Sequence, residues 1–208
     1  MGTNRLETFA DGVFAIAATL LILNVDAQVR SVGELDVPLR TALAHAWPSY
    51  VGYVVSFVTI GVIWANHHTV MSQIARVDRT FLLITVGFLM CVAFIPFPTR
   101  LLAEFIRADS ADANVGTISY GATLTLTAAF FNALWLYASR NGRLLRNDAD
   151  PVLVAGITKS YRPGVPIYVV ATLVGLVSPI ASALLYLLIA AFYVVESSVF
   201  GRARTRSR

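Results

Sequence analysis

Three side chains that can bind a metal ion or carry a proton lie in unusually apolar surroundings: Asp11, His67 and His68. Asp11 opens an apolar run in which no charged residue occurs from Gly12 to Val25. A carboxylate inside a membrane helix is costly, so it marks a functional or architectural contact. The sequence therefore offers these residues three kinds of chemistry: a hydrogen-bond network, a proton path or a metal site.

The spacing favours the hydrogen-bond network. Trp64 and His68 are four residues apart and share one face of a helix. We expect Asp11 to accept hydrogen bonds from this segment, with Arg5 closing the network. The candidate donors are Trp64, Asn66, His67 and His68. Adjacent histidines point about 100° apart on a helix, and the His-Glu-x-x-His spacing of zinc helices is absent, so we predict neither a metal nor a cofactor. A histidine-dependent response to pH stays open.

The composition is that of a membrane protein. Hydrophobic residues make up 57% of the 208 residues and charged residues only 13%, and the mean hydropathy is +0.69. A soluble domain is about a quarter charged. No nucleophile motif or phosphate-binding loop accompanies the polar residues of the apolar segments, so we do not expect an enzyme.

Six apolar segments predict an all-α integral membrane protein with six transmembrane helices per subunit. The segments cover approximately residues 6–25, 48–72, 80–105, 114–138, 163–178 and 180–200. Pro48 suits the first turn of the second helix, and Pro96 and Pro98 should kink or end the third. The fifth segment is short and is expected to form a tight hairpin with the sixth.

A signal peptide is the rival interpretation of the first segment, because Val25-Asp26-Ala27 resembles a cleavage site. Glu7 and Asp11, however, put negative charge where a signal peptide has positive charge. We therefore expect the first helix to be retained.

The distribution of basic residues predicts the orientation of the helices. Twelve Lys and Arg residues fall on one side of the predicted spans and four on the other. The larger set comprises Arg5, Arg76, Arg79, Arg140, Arg143, Arg146, Lys159, Arg162, Arg202, Arg204, Arg206 and Arg208. The smaller set comprises Arg30, Arg40, Arg100 and Arg107. Both termini are therefore predicted to be cytoplasmic.

The loops on the side with few basic residues are mildly acidic. They carry Asp26, Glu34, Asp36, Glu104, Asp109 and Asp112. Such a surface favours cations, although each of these residues taken alone is better explained as a solvated loop charge. The basic residues at 202–208 are expected to form a cytoplasmic tail that contacts anionic lipid and not nucleic acid. The remaining residues, 1–201, are expected to form one transmembrane domain.

Helical geometry divides the first apolar segment into two stripes. A bulky stripe with one hydroxyl comprises Gly12, Ile16, Thr19, Leu20 and Leu23. A small stripe, predicted to lie opposite, comprises Asp11, Ala15, Ala18 and Ile22. Because small residues let a neighbouring helix approach closely, we expect the small stripe to pack inside the protein. A stripe of Leu and Ile is by itself most often packing or lipid-facing surface.

The first helix resembles that of the endosomal and lysosomal potassium channel family and its bacterial single-repeat, six-span relatives. That family begins with Arg-x-x-x-Phe-Ser-Asp-x-x-x-Ala, and Arg5, Phe9, Asp11 and Ala15 stand at the matching positions. A Trp and His cluster similar to residues 64–68 also occurs there. The chain departs from the family at Ala10, which replaces the serine of the motif.

The resemblance implies a homotetrameric, potassium-permeable channel in a bacterial plasma membrane, with the first helix of each subunit lining a central pore. By offset from the motif aspartate, Ile16, Leu20 and Leu23 would form an apolar constriction, and Thr19 would supply a hydroxyl beside them. A second departure from the family, Thr85 in place of a frequent asparagine, makes ion selectivity less secure than the fold.

Two alternatives to a channel stay open at this point. One is a proton leak or a secondary transporter that uses Asp11, His67 and His68; a transporter would place an ionisable residue near the bilayer midplane. The other is a membrane enzyme, for which the same three residues are the available candidates. Comparison of potassium, sodium and proton movement would separate these functions.

Overall fold

The computed structural model describes residues 3–34, 36–105 and 111–206, with side chains described as far as Tyr193 except at residue 111. This part of the chain folds into helices joined by short loops. The helices are α1 (Thr3–Gly33), α2 (Leu39–His45), α3 (Trp47–Met71), α4 (Arg79–Phe94), α5 (Pro96–Phe105), α6 (Ala111–Ser139), α7 (Pro151–Tyr161), α8 (Gly164–Val174) and α9 (Pro179–Arg206). The predicted loop residues Arg107 and Asp109, and Arg208 of the tail, lie outside the described residues.

Four of the predicted apolar segments are confirmed as helices long enough to cross a membrane. They are Thr3–Gly33, Trp47–Met71, Arg79–Phe105 and Asp112–Gly142. The apolar part of α9, Pro179–Tyr193, is shorter. The 11 residues of α8 extend only about 16 Å at 1.5 Å per residue, roughly half the thickness of a hydrocarbon core. The count of six spans therefore stays a prediction.

α1 is longer than its hydropathy indicated. The apolar segment was expected to end near residue 25, but the helix continues to Gly33. Arg30 Nε lies 2.9 Å from Asp26 Oδ2, so the two charges form an ion pair one turn apart. Pairs at this spacing stabilise a helix that projects into water.

Proline ends the third predicted segment where expected. α4 ends at Phe94 and α5 begins at Pro96, which has no N–H with which to continue the helical ladder. Asn24 Nδ2 of α1 donates to the carbonyl oxygen of Pro96 at 2.9 Å. The break is thus bonded to the C-terminal half of α1. The predicted position of Pro48, in the first turn of α3, is also confirmed.

Two short helices were not predicted, α2 and α7. α7 has a recognisable start, because Asp150 accepts a hydrogen bond from Val152 N at 2.8 Å and Pro151 occupies the first turn. Its 11 residues are too few for a span, which is why a search for long apolar segments passes over it. Trp135 Nε1 donates to Thr158 Oγ1 at 2.9 Å and holds α7 against α6.

The core is formed where α1, α3, α4 and α6 meet. α1 packs against α3, α4 and α5, and α6 packs against α4, α5, α8 and α9. Aromatic rings fill the centre: Phe88 of α4 lies 6.0 Å from Phe14, 5.6 Å from His67 and 5.5 Å from Phe131, measured between ring centroids. α1 is therefore held to the rest of the subunit by one side only.

The hairpin of the fifth and sixth predicted helices corresponds to α8 and α9. Ser182 Oγ donates to the carbonyl oxygen of Ala171 at 2.6 Å, and the hydroxyls of Tyr186 and Thr172 are 3.2 Å apart. Gly121 of α6 lies against this second pair, because a Cβ there would collide with both hydroxyl groups. A glycine at this position thus lets α6 approach the hairpin.

Two loops that are rich in arginine meet at one end of the bundle. Ala75 N donates to the carbonyl oxygen of Leu144 at 2.9 Å, and Arg146 N donates to that of Gln73 at 2.9 Å. The guanidinium of Arg76 donates twice to the carbonyl oxygen of Arg143, at 3.1 and 2.8 Å. The α3–α4 and α6–α7 connections are thereby joined, at the end where the charge distribution expects both.

Candidate functional site

α1 presents three faces to its surroundings, each about a third of its circumference. The face toward the subunit interior comprises the buried residues Leu6, Ala10, Phe14, Ala17, Leu21 and Val25. The two predicted stripes occupy the rest of the surface. At about 100° per residue, their centres are roughly 115° apart.

The small stripe is not covered within one subunit, so the expectation that it packs inside the protein stays a prediction for the assembled oligomer. Asp11, Ala15 and Ile22 are exposed, and only Ala18 is half-buried. The two predicted stripes are neighbours on the helix and not opposites, and a third stripe, beginning at Leu6 and Ala10, faces the core. Within one subunit, α1 therefore leaves both predicted stripes uncovered.

The bulky stripe forms an exposed apolar ridge. Ile16, Leu20 and Leu23 expose 61%, 41% and 56% of their surface. Gly12, in the same stripe, has no neighbouring atom within 4 Å of where a Cβ would lie. The stripe is thus largely uncovered within the subunit over about three turns.

Thr19 is exposed on this ridge, and its hydroxyl is already a donor. Thr19 Oγ1 lies 2.9 Å from the carbonyl oxygen of Ala15 and 3.0 Å from that of Ile16. A hydroxyl has one proton to donate and two lone pairs that accept. Because the proton points back into the helix, the lone pairs face outward. The back-bond and an exposed acceptor are therefore compatible.

Asp11, the polar member of the small stripe, joins α1 to α3. Trp64 Nε1 donates to Asp11 Oδ1 at 2.8 Å. The ring of His68, one turn further along α3, stacks on that of Trp64 at 6.3 Å between centroids, with 29° between their planes. Both rings are exposed at the surface of the subunit. The structure thus brings together three of the residues that the spacing selected.

The other residues of the predicted network lie apart from Asp11. His67 is 2% exposed, its ring stacks on that of Phe88, and its Nε2 has no partner among the described residues. Asn66 lines a cavity of about 60 Å³ between α3, α6, α8 and α9. Arg5 is exposed and forms no ion pair within the described part of the chain. The expected closure by Arg5 is thus not seen within one subunit.

The two histidines therefore have different surroundings, which a shared metal ion would not allow. His67 is enclosed by Phe14 and Phe88, whereas His68 lies outside on Trp64. Among the residues described, no group of three His, Cys, Asp or Glu side chains is placed to hold a metal ion.

The remaining motif residues are exposed, whereas the two residues that depart from the family pattern are buried. Phe9 and Ala15 are exposed; at about 100° per residue Phe9 lies beside the bulky stripe, and Ala15 belongs to the small stripe. Ala10, which replaces the motif serine, is fully buried against the core. Thr85 is also fully buried, and its hydroxyl donates to the carbonyl oxygen of Phe81 at 2.8 Å. Both departures therefore face the subunit interior and not the exposed stripes.

Sequence reasoning missed Asn24, whose amide reaches the Pro96 carbonyl. The signal was present, because Asn24 is the one polar residue between Leu20 and Asp26 and lies on the interior stripe. It also missed a hydroxyl cluster between helices. Ser56 Oγ lies 2.8 Å from Thr99 Oγ1 and 3.1 Å from the Tyr120 hydroxyl, linking α3, α5 and α6 in the core.

The exposed surface of α1 differs from that of the other long helices. α4 exposes Leu83, Val86 and Met90, and α6 exposes Leu126 and Leu136, as lipid-facing helices do. The exposed part of α1, together with the adjoining end of α3, adds a carboxylate, a hydroxyl and an indole N–H to its apolar residues. The fold and this surface define a helical membrane protein with a polar, uncovered first helix.

Comparison with known proteins identifies the family. The family described as "Endosomal/lysosomal potassium channel TMEM175" matches residues 5–96. A potassium channel of Chamaesiphon minutus is 39% identical over 196 residues, which are 94% of this chain and 95% of the relative. A potassium channel of Streptomyces collinus is 45% identical over 150 residues, 71% of this chain and 70% of the relative.

Vertebrate proteins and a solved structure extend the comparison. The chicken endosomal/lysosomal proton channel TMEM175 is 33% identical over 144 residues, which are 66% of this chain and 28% of the relative. The crystal structure of the Chamaesiphon minutus homologue of the lysosomal potassium-selective channel TMEM175 superposes with a TM-score of 0.80. The two chains are 36% identical, and the match covers 94% of this chain and 97% of that one. The chain belongs to the TMEM175 family, whose members are ion channels and not enzymes.

Proposed function

We propose that the protein is a potassium-permeable cation channel of a bacterial plasma membrane. In this proposal four identical subunits surround one axis, and α1 of each subunit lines the central pore. The bacterial relatives are described as potassium channels and match most of this chain. Ile16, Leu20 and Leu23 form the constriction, with Thr19 beside them.

The observation that carries this proposal is the uncovered surface of α1. Asp11 and Thr19 are exposed on α1 at the depth of an apolar span. In hydrocarbon an exposed carboxylate is unfavourable by several kcal/mol. The surface is stable only if it faces another protein surface or water, and α1 of a channel subunit faces both. A lipid-facing surface, in contrast, would resemble that of α4.

The two exposed stripes suit two different neighbours. The small stripe, with Ala15 and Ala18, allows the close approach of a helix from the next subunit. The bulky stripe then points to the axis. An apolar ring narrower than a hydrated ion imposes a dehydration barrier and gates by dewetting. Potassium holds its water less tightly than sodium, so a steric apolar neck passes potassium more readily.

The proposed topology has six spans with both termini in the cytoplasm. α8 and α9 form the fifth and sixth spans, and residues 202–208 form the basic tail against anionic lipid. The arginine-rich loops joined by Arg76 and Arg143 lie on the cytoplasmic side, as the positive-inside rule expects. The loops near Asp26 and Arg100 then face outward.

Flux from proteoliposomes tests this function. Purified protein is reconstituted in vesicles loaded with potassium, sodium or neither, and efflux down each gradient is followed. We expect potassium efflux to exceed sodium efflux, and proteoliposomes without gradients of these ions to show little proton entry. Equal flux of both cations, or the absence of cation flux from a tetrameric preparation, would contradict the proposal.

A proton channel is the second candidate. The chicken relative is described as a proton channel, and the exposed Asp11 and His68 carry a carboxylate and an imidazole, side chains that can accept and donate a proton. In the same vesicles, a pH-sensitive dye reports proton entry while valinomycin clamps the voltage. Proton flux that disappears in Asp11→Asn while potassium flux persists would favour this second function.

A further inference from the structure

The exposed face of α1 does not end with the apolar constriction. Helix α1 continues without interruption to Gly33. Asp26, Arg30 and Glu34 follow Thr19 and Leu23 at intervals of three and four residues, so they lie on the same face. This face therefore changes from apolar to charged about one turn beyond Leu23.

The rotation of this outer part of α1 is fixed by its contacts. Val25 is buried against the core, and the amide of Asn24 donates to the Pro96 carbonyl. These residues point toward the subunit, on the other side of the helix from Arg30. The side chains of Arg30 and Asp26 are accordingly 76% and 55% exposed.

Arg30 is paired with Asp26, at 2.9 Å between Nε and Oδ2. With Glu34 on the same face, each subunit carries one positive and two negative charges there. Four unpaired arginines around an axis would repel a cation, whereas four additional carboxylates would attract it. In the ion pair, the positive charge of Arg30 offsets the negative charge of Asp26, so repulsion and attraction of a cation largely cancel.

We propose that Asp26 and Arg30 set the electrostatic potential at the outer entrance of the pore, and with it the rate at which cations enter from outside. The proposal rests on the proposed function, because it requires α1 to line the pore. The ligand class is a monovalent cation that is still hydrated, before it reaches the apolar neck. Asp26 raises the local cation concentration, and Arg30 limits that increase.

Single-channel or macroscopic currents in planar bilayers test the proposal, with low potassium concentration on the outer side. Asp26→Asn is expected to reduce inward current severalfold, and Arg30→Gln to increase it. The double variant Asp26→Asn with Arg30→Gln has the net charge of the natural sequence and is expected to restore inward current. At about 1 M salt, where the Debye length is about 3 Å, the differences should nearly vanish.

A matched control is available at the same end of the bundle. Arg100 and Glu104 form an ion pair on α5, 3.6 Å apart and also at i, i+4 spacing. Arg100→Gln removes the same charge from a helix that does not line the pore, and it should leave inward current within experimental error. Size-exclusion chromatography of each variant checks that assembly is intact.

The outcomes separate this inference from the function on which it rests. If both single variants conduct like the natural protein while Leu23→Ala alters selectivity, α1 lines the pore but the charged pair does not act on ions. If Arg100→Gln changes the current as much as Arg30→Gln, the effect is a general surface charge and the proposal is wrong. If the natural protein passes no cation, the proposed function itself fails.

Discussion

Trp64 of α3 donates a hydrogen bond of 2.8 Å to Asp11 of α1, and both residues lie at the surface of the subunit. A bond between two exposed side chains in water contributes little. Where lipid or protein covers the pair, however, water cannot replace this donor, and the bond would then keep Asp11 satisfied. The relationship makes α1 and α3 one surface, which the proposed tetramer would cover.

Truncation of the constriction should widen the neck. We expect Leu20→Ala or Leu23→Ala to raise sodium permeability relative to potassium severalfold, because the dehydration barrier falls for the more strongly hydrated ion. Reversal potentials in potassium and sodium gradients measure the ratio. Val169→Ala, on the exposed face of α8, is the control and should change nothing. If the permeability ratio of sodium to potassium is unchanged after truncation of Ile16, Leu20 and Leu23 together, these side chains do not form a selective constriction.

The hydroxyl of Thr19 should assist a partly dehydrated cation. Thr19→Val keeps the shape but removes the outward lone pairs, so we expect a lower potassium conductance. Thr19→Ser keeps the hydroxyl and should retain most of the conductance. If Thr19→Val conducts like the natural protein, the back-bonds to Ala15 and Ile16 are the whole role of this residue.

Loss of the Asp11 bond should weaken assembly more than folding. Trp64→Phe, Asp11→Asn or His68→Ala alters the surface that neighbouring subunits cover. An unsatisfied polar group buried there costs on the order of 1–3 kcal/mol per subunit. Chromatography in mild detergent should show a smaller tetramer peak.

Trp135→Phe is the control for this experiment, because it removes an indole bond that lies inside one subunit. It should lower the unfolding temperature without dissociating the tetramer. A variant of Asp11 that remains tetrameric but has altered ion selectivity would instead move this residue into the pore.

Acid should weaken the cap of α4. The pKa of Asp78 is held below its ordinary value by the N–H of Phe81, by the hydroxyl of Tyr137 and by the guanidinium of Arg143. Because the folded pKa is lowered, the stabilisation is complete above the ordinary carboxyl pKa of about 4 and is lost as the pH falls through the lowered value. Asp78→Ala should cost about 0.5–2 kcal/mol at pH 7.

Thermal unfolding in detergent at pH 7 and near pH 2.5 measures this difference, which should shrink in acid. Asp148→Ala is the control, because that carboxylate is exposed, pairs with the nearby Arg146 and caps no helix. A gap between Asp78→Ala and the natural protein that is equally large in acid would show that shape and not charge stabilises the cap.

Much of the fold could be predicted because apolar length and proline act locally. The helices α3, α4 with α5, and α6 follow from mainly apolar segments of more than 20 residues, and the break at Pro96 follows from its missing N–H. The length of α1 could not be obtained in this way, because residues 26–33 do not continue the apolar run; they include the exposed ion pair of Asp26 and Arg30.

The sequence predicted which residues belong to the site, but not which face of each helix is buried. The i, i+4 spacing of Trp64 and His68 correctly put the two rings side by side. Which stripe of α1 faces the core depends on the partner helices. The stripe that does so mixes small and bulky residues, such as Ala10, Phe14 and Leu21, so its composition does not distinguish it from the others. The burial of His67 is likewise decided by Phe14 and Phe88, which come from other helices.

The two side-chain bonds of α1 also determine how this helix can move. Near its N-terminal end α1 is tethered to α3 through Asp11, and nearer its C-terminal end Asn24 tethers it to the proline break between α4 and α5. Between these tethers the contacts are apolar and without preferred direction. Twisting of α1 about its own axis must therefore break a directional bond, whereas tilting of the whole subunit breaks neither. In the proposed channel, the pore would therefore open and close at the lowest cost by rigid-body tilting of the subunits.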